Sequence, residues 1–387
     1  MDIQQNDKNY VANTYARFDL TAVSGSGVDI YDEGGLELID LSSGIGVNSF
    51  GVNDPEWKAA VVAQLDKLQH ISNLFYTGPQ VELAELLCEK TGMKKVFFGN
   101  SGAEANECAI KAARKYSSDK YGEGRSVIIT LLNSFHGRTM ATLSATGQPS
   151  MHTSFHPFLP DFVYTAANDI EAIEAAAFAD NVCAIMIELV QGEGGVLPLD
   201  YEYVQAIAKI CDERDILLVI DEVQTGNGRT GSLYAYTQFD IKPDIVSTAK
   251  GLGGGLPIGA CLLGEKVENT LSSGSHGSTF GGNPVCAAGA VSVVSRLTDE
   301  FLADVTRKGD LIRSELESAK GVKSVSGLGM MIGIEIEGTA RAVVEECLKL
   351  GVILLTAKEK VRLLPPLNIS DEKLIAALNI LKGVLAE

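Results

Sequence analysis

The chain has 387 residues, 45% of them hydrophobic, long enough to bury one large α/β core or two domains. Its 32 basic and 50 acidic residues leave a net charge of −18, which argues against nucleic acid and anionic membranes as partners. Seven cysteines lie scattered without a CxxC, and the opening MDIQQNDKNY is too polar and acidic for a signal peptide; no run approaches a membrane span, so a cytoplasmic protein is expected.

Residues 1–20 are polar with interspersed aromatics (Tyr10, Tyr15, Phe18) and read as a docking arm. Short strands at 28–31 and 37–41 flank an Asp-Glu-Gly-Gly turn, a hairpin signal. The loop 42–51, SSGIGVNSFG, is too rich in glycine and serine for a core strand, and Asp54-Pro55 opens a helix reaching about Leu68. Seven apolar, β-branched runs come next, at 96–98, 127–131, 162–164, 184–187, 217–220, 245–246 and 261–263, with helices such as 103–116 and 203–214 between them. Buried runs alternating with helices imply a largely parallel sheet covered on both faces, with ligands at the carboxyl ends of its strands. Beyond about Pro284 one long helix (285–318), an alternating strand (331–336), another helix and a run at 352–355 read as a smaller α+β domain. The expected division is 1–55 packing with the small domain, 56–283 as the large domain, and 284–387 as the small one.

Three stretches carry residues that ordinary loops do not need. After the first central strand comes GNSGAEANE (99–107), where free N–H groups at a helix start suit a phosphate; a plain helix cap by Asn100 or Ser101 explains the same residues. The strand at 217–220 runs into DEVQTG, and Asp221 at its end needs donors or a cation. A pyridinium nitrogen or a strand-end cap would both serve, and Gln224 is placed to bond a ring oxygen. In IVSTAKGLGGGLPIGA (245–260), Lys250 ends a buried run just before a cluster of glycines. Desolvation there would lower its pKa and make it a nucleophile, against the alternative of a surface lysine on a flexible loop. His152 and His156 do not read as a metal pair, because Pro157 comes directly after and no acidic third ligand is near.

The motifs NSGAEANE, SFHGRT, ELVQGEGG, DEVQTGNGRTG, STAKGLGGGLPIGA and STFGGNP occur in this order between NTYARF at 13 and VRLLPPL at 361. This wording resembles the class III (ornithine-type) aminotransferases, pyridoxal-phosphate enzymes of fold-type I. The resemblance implies an α/β fold with a mostly parallel seven-stranded sheet and a smaller α+β domain. It implies that Lys250 links to the cofactor aldehyde and moves protons, that Asp221 meets the ring nitrogen, and that Gln224 meets the ring oxygen. Ser101, Gly102 and Ala103 would cradle the phosphate, Phe135 and Val223 would flank the ring, and Thr279 would reach the phosphate of a neighbouring subunit in a homodimer. Arg362 would hold the α-carboxylate of glutamate and Arg138 that of an ornithine-type substrate, while Glu193 masks Arg362 when the second substrate binds. Gly44 stands where ornithine-specific members carry tyrosine, leaving room for an acylated α-nitrogen. The expected reaction moves the terminal amine of N2-acetylornithine to 2-oxoglutarate, with succinylornithine, ornithine or 4-aminobutyrate as rival donors. An aminomutase on the same fold has little use for a carboxylate switch, and a nucleotide-binding module leaves Lys250 and Asp221 unexplained.

Overall fold

The computed structural model describes residues 2–386. The chain opens with an exposed helix, Ile3–Tyr10, and a meander of three short strands: β1 (Ala22–Ser26), β2 (Asp29–Asp32) and β3 (Glu37–Asp40). Asp54 accepts from the Trp57 N–H at 2.9 Å and caps the helix Pro55–Leu65, which stops a turn earlier than its sequence pattern suggests.

Seven strands build the central sheet: β4 (Lys95–Gly99), β5 (Val127–Leu131), β6 (Phe162–Thr165), β7 (Val182–Ile187), β10 (Leu217–Asp221), β11 (Ile245–Thr248) and β12 (Gly259–Leu263). Between β7 and β10 lies a two-stranded ribbon, β8 (Val190–Gln191) and β9 (Leu197–Pro198). The sheet order is β4-β12-β11-β10-β7-β5-β6, parallel except where β12 runs antiparallel to both β4 and β11. Every residue of β5, β7, β10, β11 and β12 is buried, as expected of strands covered on both faces. The helix Gly102–Tyr121 packs on β11 and β12 through small side chains, Ala105, Cys108, Ala109 and Ala112, so helix and sheet approach closely.

Ile220 pairs with Ile187 on one side and Val246 on the other. The carboxyl ends of β7, β10 and β11 therefore finish level, and the residues leaving them converge: Glu188 after β7, Asp221 ending β10, Lys250 after β11.

The helix expected at 285–318 is two helices, Pro284–Ser295 and Asp299–Leu316. Thr298 caps the second through its hydroxyl, Leu297 is buried at the joint, and Arg296 turns back to Asp54 (2.8 Å) and over the Phe50 ring. The remaining strands are β13 (Val322–Leu328), β14 (Met331–Ile336), β15 (Val352–Ile353), β16 (Leu355–Ala357) and β17 (Lys360–Leu363), with the helix Ala340–Lys349 before β15 and Asp371–Ala386 after β17. β13, β14, β17 and β16 form a second sheet, and β15 pairs parallel with β3.

Candidate active site

The helix Gly102–Tyr121 starts directly after β4. Ser101 accepts from the Glu104 N–H at 3.2 Å, and Glu104 reaches back to the backbone and side-chain nitrogens of Asn100. With those caps made, the N–H groups of Gly102 and Ala103 have no intrahelical acceptor and point out of the helix start. A Cβ on Gly102 would stand 2.6 Å from Val223 Cγ1, so only glycine lets the two loops close on each other.

Asp221 is 3% exposed. Its Oδ2 accepts from Asn106 Nδ2 (2.7 Å) and His136 Nδ1 (2.8 Å), and its Oδ1 from the Val223 N–H (3.0 Å). Burial alone would push the His136 pKa down, but the hydrogen bond and charge of Asp221, aided by Glu188, leave it raised. His136 Nε2 and Asn106 Oδ1 are buried without partners among the described residues. Glu188 accepts from the Phe135 N–H at 2.8 Å, and burial lifts its pKa to about 7.

Lys250 is left-handed (φ 47°) in a position that turns it out of the strand direction and into the cavity. Burial lowers its pKa, against the opposing pull of Glu193 and Asp221. The cavity holds about 480 Å³, within the usual range for a small-molecule site. Ser101, Gly102, Ala103, Phe135, Arg138, Asp221, Val223, Gln224 and Lys250 all line it. Arg138 is exposed at its mouth, with its guanidinium 5.5 Å from the Phe135 ring centre.

Arg362 and Glu193 are not in that lining but adjoin it. Arg362, 3% exposed on β17, donates to Glu193 Oε1 at 2.5 Å and to Gln224 Oε1 at 3.3 Å, and its Nε has no partner among the described residues. Burial pushes the Glu193 pKa up, but the Arg362 charge and hydrogen bond outweigh it and leave a lowered value. Glu193 lies on the turn of the β8–β9 ribbon and keeps 28% of its side chain exposed.

Two further residues stand apart. Thr279 is exposed in a separate cleft beside Asn100, Glu104 and Phe280. Gly44 is exposed in a turn, Ser43–Gly46, whose four residues all have positive φ (46°, 63°, 66° and 72°); Val47, just beyond it, is the member that lines the cavity. The turn is held by Asp40, which accepts from the Ser42 N–H and hydroxyl and from the Ser43 N–H.

Asn106, His136 and Glu188 carry no role in the sequence reading, although each falls inside one of its motifs. A polar residue among the small apolar ones of a buried helix face was the available signal for Asn106.

The family model for class-III aminotransferases matches residues 10–385. An acetylornithine aminotransferase of Haemophilus ducreyi is 56% identical over 387 residues, covering 100% of this chain and 98% of that protein. Among solved structures, N-acetylornithine aminotransferase from Stenotrophomonas maltophilia is 37% identical with a TM-score of 0.85, covering 99% of this chain and 98% of that one. The ornithine aminotransferase of Toxoplasma gondii, whose active site holds pyridoxal phosphate at partial occupancy, is 30% identical with a TM-score of 0.94, covering 99% and 93%. A buried lysine facing a donor-bound aspartate across one cavity, in a chain matched nearly end to end, thus has a family: the chain belongs to the class-III aminotransferases.

Proposed function

We propose that this enzyme transfers the terminal amine of N2-acetylornithine to 2-oxoglutarate with pyridoxal phosphate as cofactor. The observation that carries the two-substrate reading is the buried Arg362–Glu193 pair, a carboxylate site already filled by an internal carboxylate that a substrate can replace.

The residues present fit the cofactor. The N–H groups of Gly102 and Ala103 and the Ser101 hydroxyl form a cradle for a phosphate. Asp221, fixed by three donors, offers a carboxylate to a ring nitrogen, and Phe135 and Val223 are the apolar side chains that would enclose a ring. When bound, pyridoxal phosphate supplies an aldehyde to take up the amine and a ring that draws electrons from the adjacent C–H bond. Lys250 Nζ, with its pKa lowered by burial, would serve as nucleophile, then take the proton from the amine-bearing carbon of the donor and deliver it to the carbon that the cofactor aldehyde supplies. His136 holds the Asp221 carboxylate in place from behind. Arg362 binds the α-carboxylate of glutamate or 2-oxoglutarate when Glu193 swings away, and Glu193 returns to Arg362 when the acylated donor binds through Arg138.

The donor is inferred from the full-length likeness to acetylornithine aminotransferases and from Gly44, three residues before the cavity-lining Val47, where a Cβ would meet nothing nearer than Asn48 Nδ2 at 3.8 Å. A homodimer is part of this reading. Thr279 lines a cleft separate from its own chain's cavity, and the neighbouring Leu74 (86% exposed), Tyr76 (99%) and Phe280 (58%) offer apolar surface for a second copy to cover. Among the described residues no helix is long and apolar enough to cross a membrane, and with seven free cysteines we place the enzyme in the cytoplasm.

The test mixes purified holoenzyme with one amine donor at a time, without oxo acid, and tracks the near-visible absorbance of the cofactor. Acetylornithine is expected to discharge it faster than ornithine or 4-aminobutyrate. Faster discharge by either of the latter refutes the donor assignment.

A further inference from the structure

The motif DEVQTGNGRTG contains two buried charged residues that the reaction does not use, Glu222 and Arg229, and the second of them joins distant segments. Arg229 is 2% exposed, eight residues beyond Asp221 on the loop that leaves β10. Its Nη1 donates to two carbonyls, Pro365 O at 2.6 Å and Met330 O at 3.2 Å, while its own carbonyl accepts from the Met330 N–H at 3.0 Å. Its Nη2 is buried without a partner among the described residues. Burial presses its pKa down to about 9, with the Asp40 carboxylate as the opposing influence. A guanidinium so placed is costly for stability, since its desolvation is offset by two neutral acceptors and, among the described residues, by no close ion pair. Its worth therefore lies in what it holds together.

Three segments meet at this side chain. Pro365 lies three residues after Arg362, two beyond the end of β17. The adjacent Leu364 is fixed from the other side, with its N–H donating to Leu41 O at 2.7 Å and its carbonyl accepting from the Ser43 hydroxyl. Gly46, which closes the left-handed turn, lies against Arg229: a Cβ built there would be 3.8 Å from its Nε. The guanidinium thus ties the exit of the Arg362 strand to the loop that follows Asp221 and carries Gln224, and packs against the turn carrying Gly44.

We propose that Arg229 is a positioning residue that sets the register of the carboxylate-binding Arg362, and of the turn Ser43–Gly46, against the cofactor end of the site. The inference rests on the proposed function, in which Arg362 receives the α-carboxylate of glutamate. A lysine at this position keeps the charge, but its single ammonium on a flexible stem replaces the planar group whose Nη1 bonds both carbonyls while its Nε lies against Gly46, so it holds the three segments less firmly.

The test compares wild type, Arg229→Lys and Arg362→Ala as holoenzymes, measuring each half-reaction separately by single-turnover loss of the cofactor absorbance. Arg229→Lys is expected to keep the wild-type cofactor spectrum while its kcat/KM for glutamate falls about 10- to 100-fold, the scale of a misplaced binding group. The acetylornithine half-reaction should fall less than about threefold by the same reasoning. Equal losses in both half-reactions, or a fall in Tm with unchanged kinetics, overturn the proposal and leave Arg229 a purely structural residue. Arg362→Ala separates the two readings: if it spares glutamate, the assignment of Arg362 fails, whereas selectivity in Arg362→Ala without selectivity in Arg229→Lys refutes the role of Arg229 alone. Should Arg229→Lys fail to fold, Ser43→Ala removes the neighbouring clamp on Leu364 and must show the same bias against glutamate; equal losses there overturn the proposal as well.

Discussion

Replacing Arg362 by alanine is the sharpest perturbation of the substrate end. The guanidinium is 3% exposed, so its charge meets a substrate carboxylate with little water between them. Deleting one partner of such a buried, charge-assisted pair costs about 2–5 kcal/mol, or about 30- to 5,000-fold in kcat/KM for glutamate. In the acetylornithine half-reaction Arg362 only has to satisfy Glu193. That carboxylate keeps 28% of its side chain exposed and is rehydrated when its partner is lost, so the expected loss is below about tenfold. Arg138→Ala should show the opposite bias at smaller scale, about fivefold, because Arg138 is exposed at the cavity mouth. The assay is single-turnover discharge of the cofactor absorbance with each amino acid over a range of concentrations. If the two variants weaken both half-reactions alike, the division of labour between the arginines is wrong.

Lys250→Ala should bind pyridoxal phosphate without a covalent link and lose several orders of magnitude in rate, because one amine serves as nucleophile and base; reduction with borohydride should no longer fix cofactor to the protein, and normal turnover refutes the assignment. Gly44→Tyr has space to fit, but the left-handed backbone (φ 63°) costs a non-glycine residue about 1 kcal/mol. Despite that cost it should narrow the preference for acetylornithine over ornithine in kcat/KM, and an unchanged ratio removes Gly44 from substrate selection. Glu222→Gln probes a buried carboxyl that accepts from the Tyr236 N–H (2.9 Å) and the Thr225 hydroxyl. Burial raises its pKa from 4.5 to about 7, so the folded state holds a proton the unfolded chain has released, and wild-type stability is lost as pH rises between those values. Over that window the loss amounts to about 3 kcal/mol, so the Tm deficit of Glu222→Gln should shrink between about pH 5 and about pH 8; a constant deficit contradicts the buried titration.

The central strands were legible because uninterrupted apolar, β-branched runs have one stable home, inside a sheet covered on both sides. The joint at Arg296–Thr298 was not, because apolar periodicity runs through it; the pull of Asp54 on Arg296 is a tertiary contact, and the local Thr298 cap on the Phe301 N–H is a signal that the periodicity obscured. The same distinction runs through the site. Lys250 and Asp221 stand out in sequence as charges at the ends of apolar runs. Their surroundings are set by the sheet order β4-β12-β11-β10-β7-β5-β6, which places β7 beside β10 although a ribbon and a helix separate them in the chain. That order brings Glu188 next to Asp221, and the helix after β4 carries Asn106 to it from 115 residues away. The turn Ser43–Gly46 was readable as irregular, but not its run of positive φ, which the Asp40 side chain stabilises locally.

The two ends of the cavity are built to different standards of rigidity, and the two-substrate reaction explains why. At the cofactor end Asp221 has three fixed donors, and its neighbours are strand ends and a helix start that cannot shift without unmaking the sheet. At the substrate end the only partner of opposite charge for Arg362 among the described residues is Glu193, on the turn of a two-stranded ribbon where Gly195 has φ 113°. An arginine left alone in that position during the acylornithine half-reaction would carry the full cost of an unpaired buried charge, several kcal/mol. In the proposed exchange of one carboxylate for another that cost is avoided, because the guanidinium would be paired before and after and Glu193 already reaches water. Glu193 and Gln224 engage only Nη1 of Arg362, so an incoming α-carboxylate that spans both Nη groups would make a second bond that the internal one does not. On the proposed reading the internal carboxylate is the weaker ligand for Arg362, which is what a mask must be if substrate is to remove it.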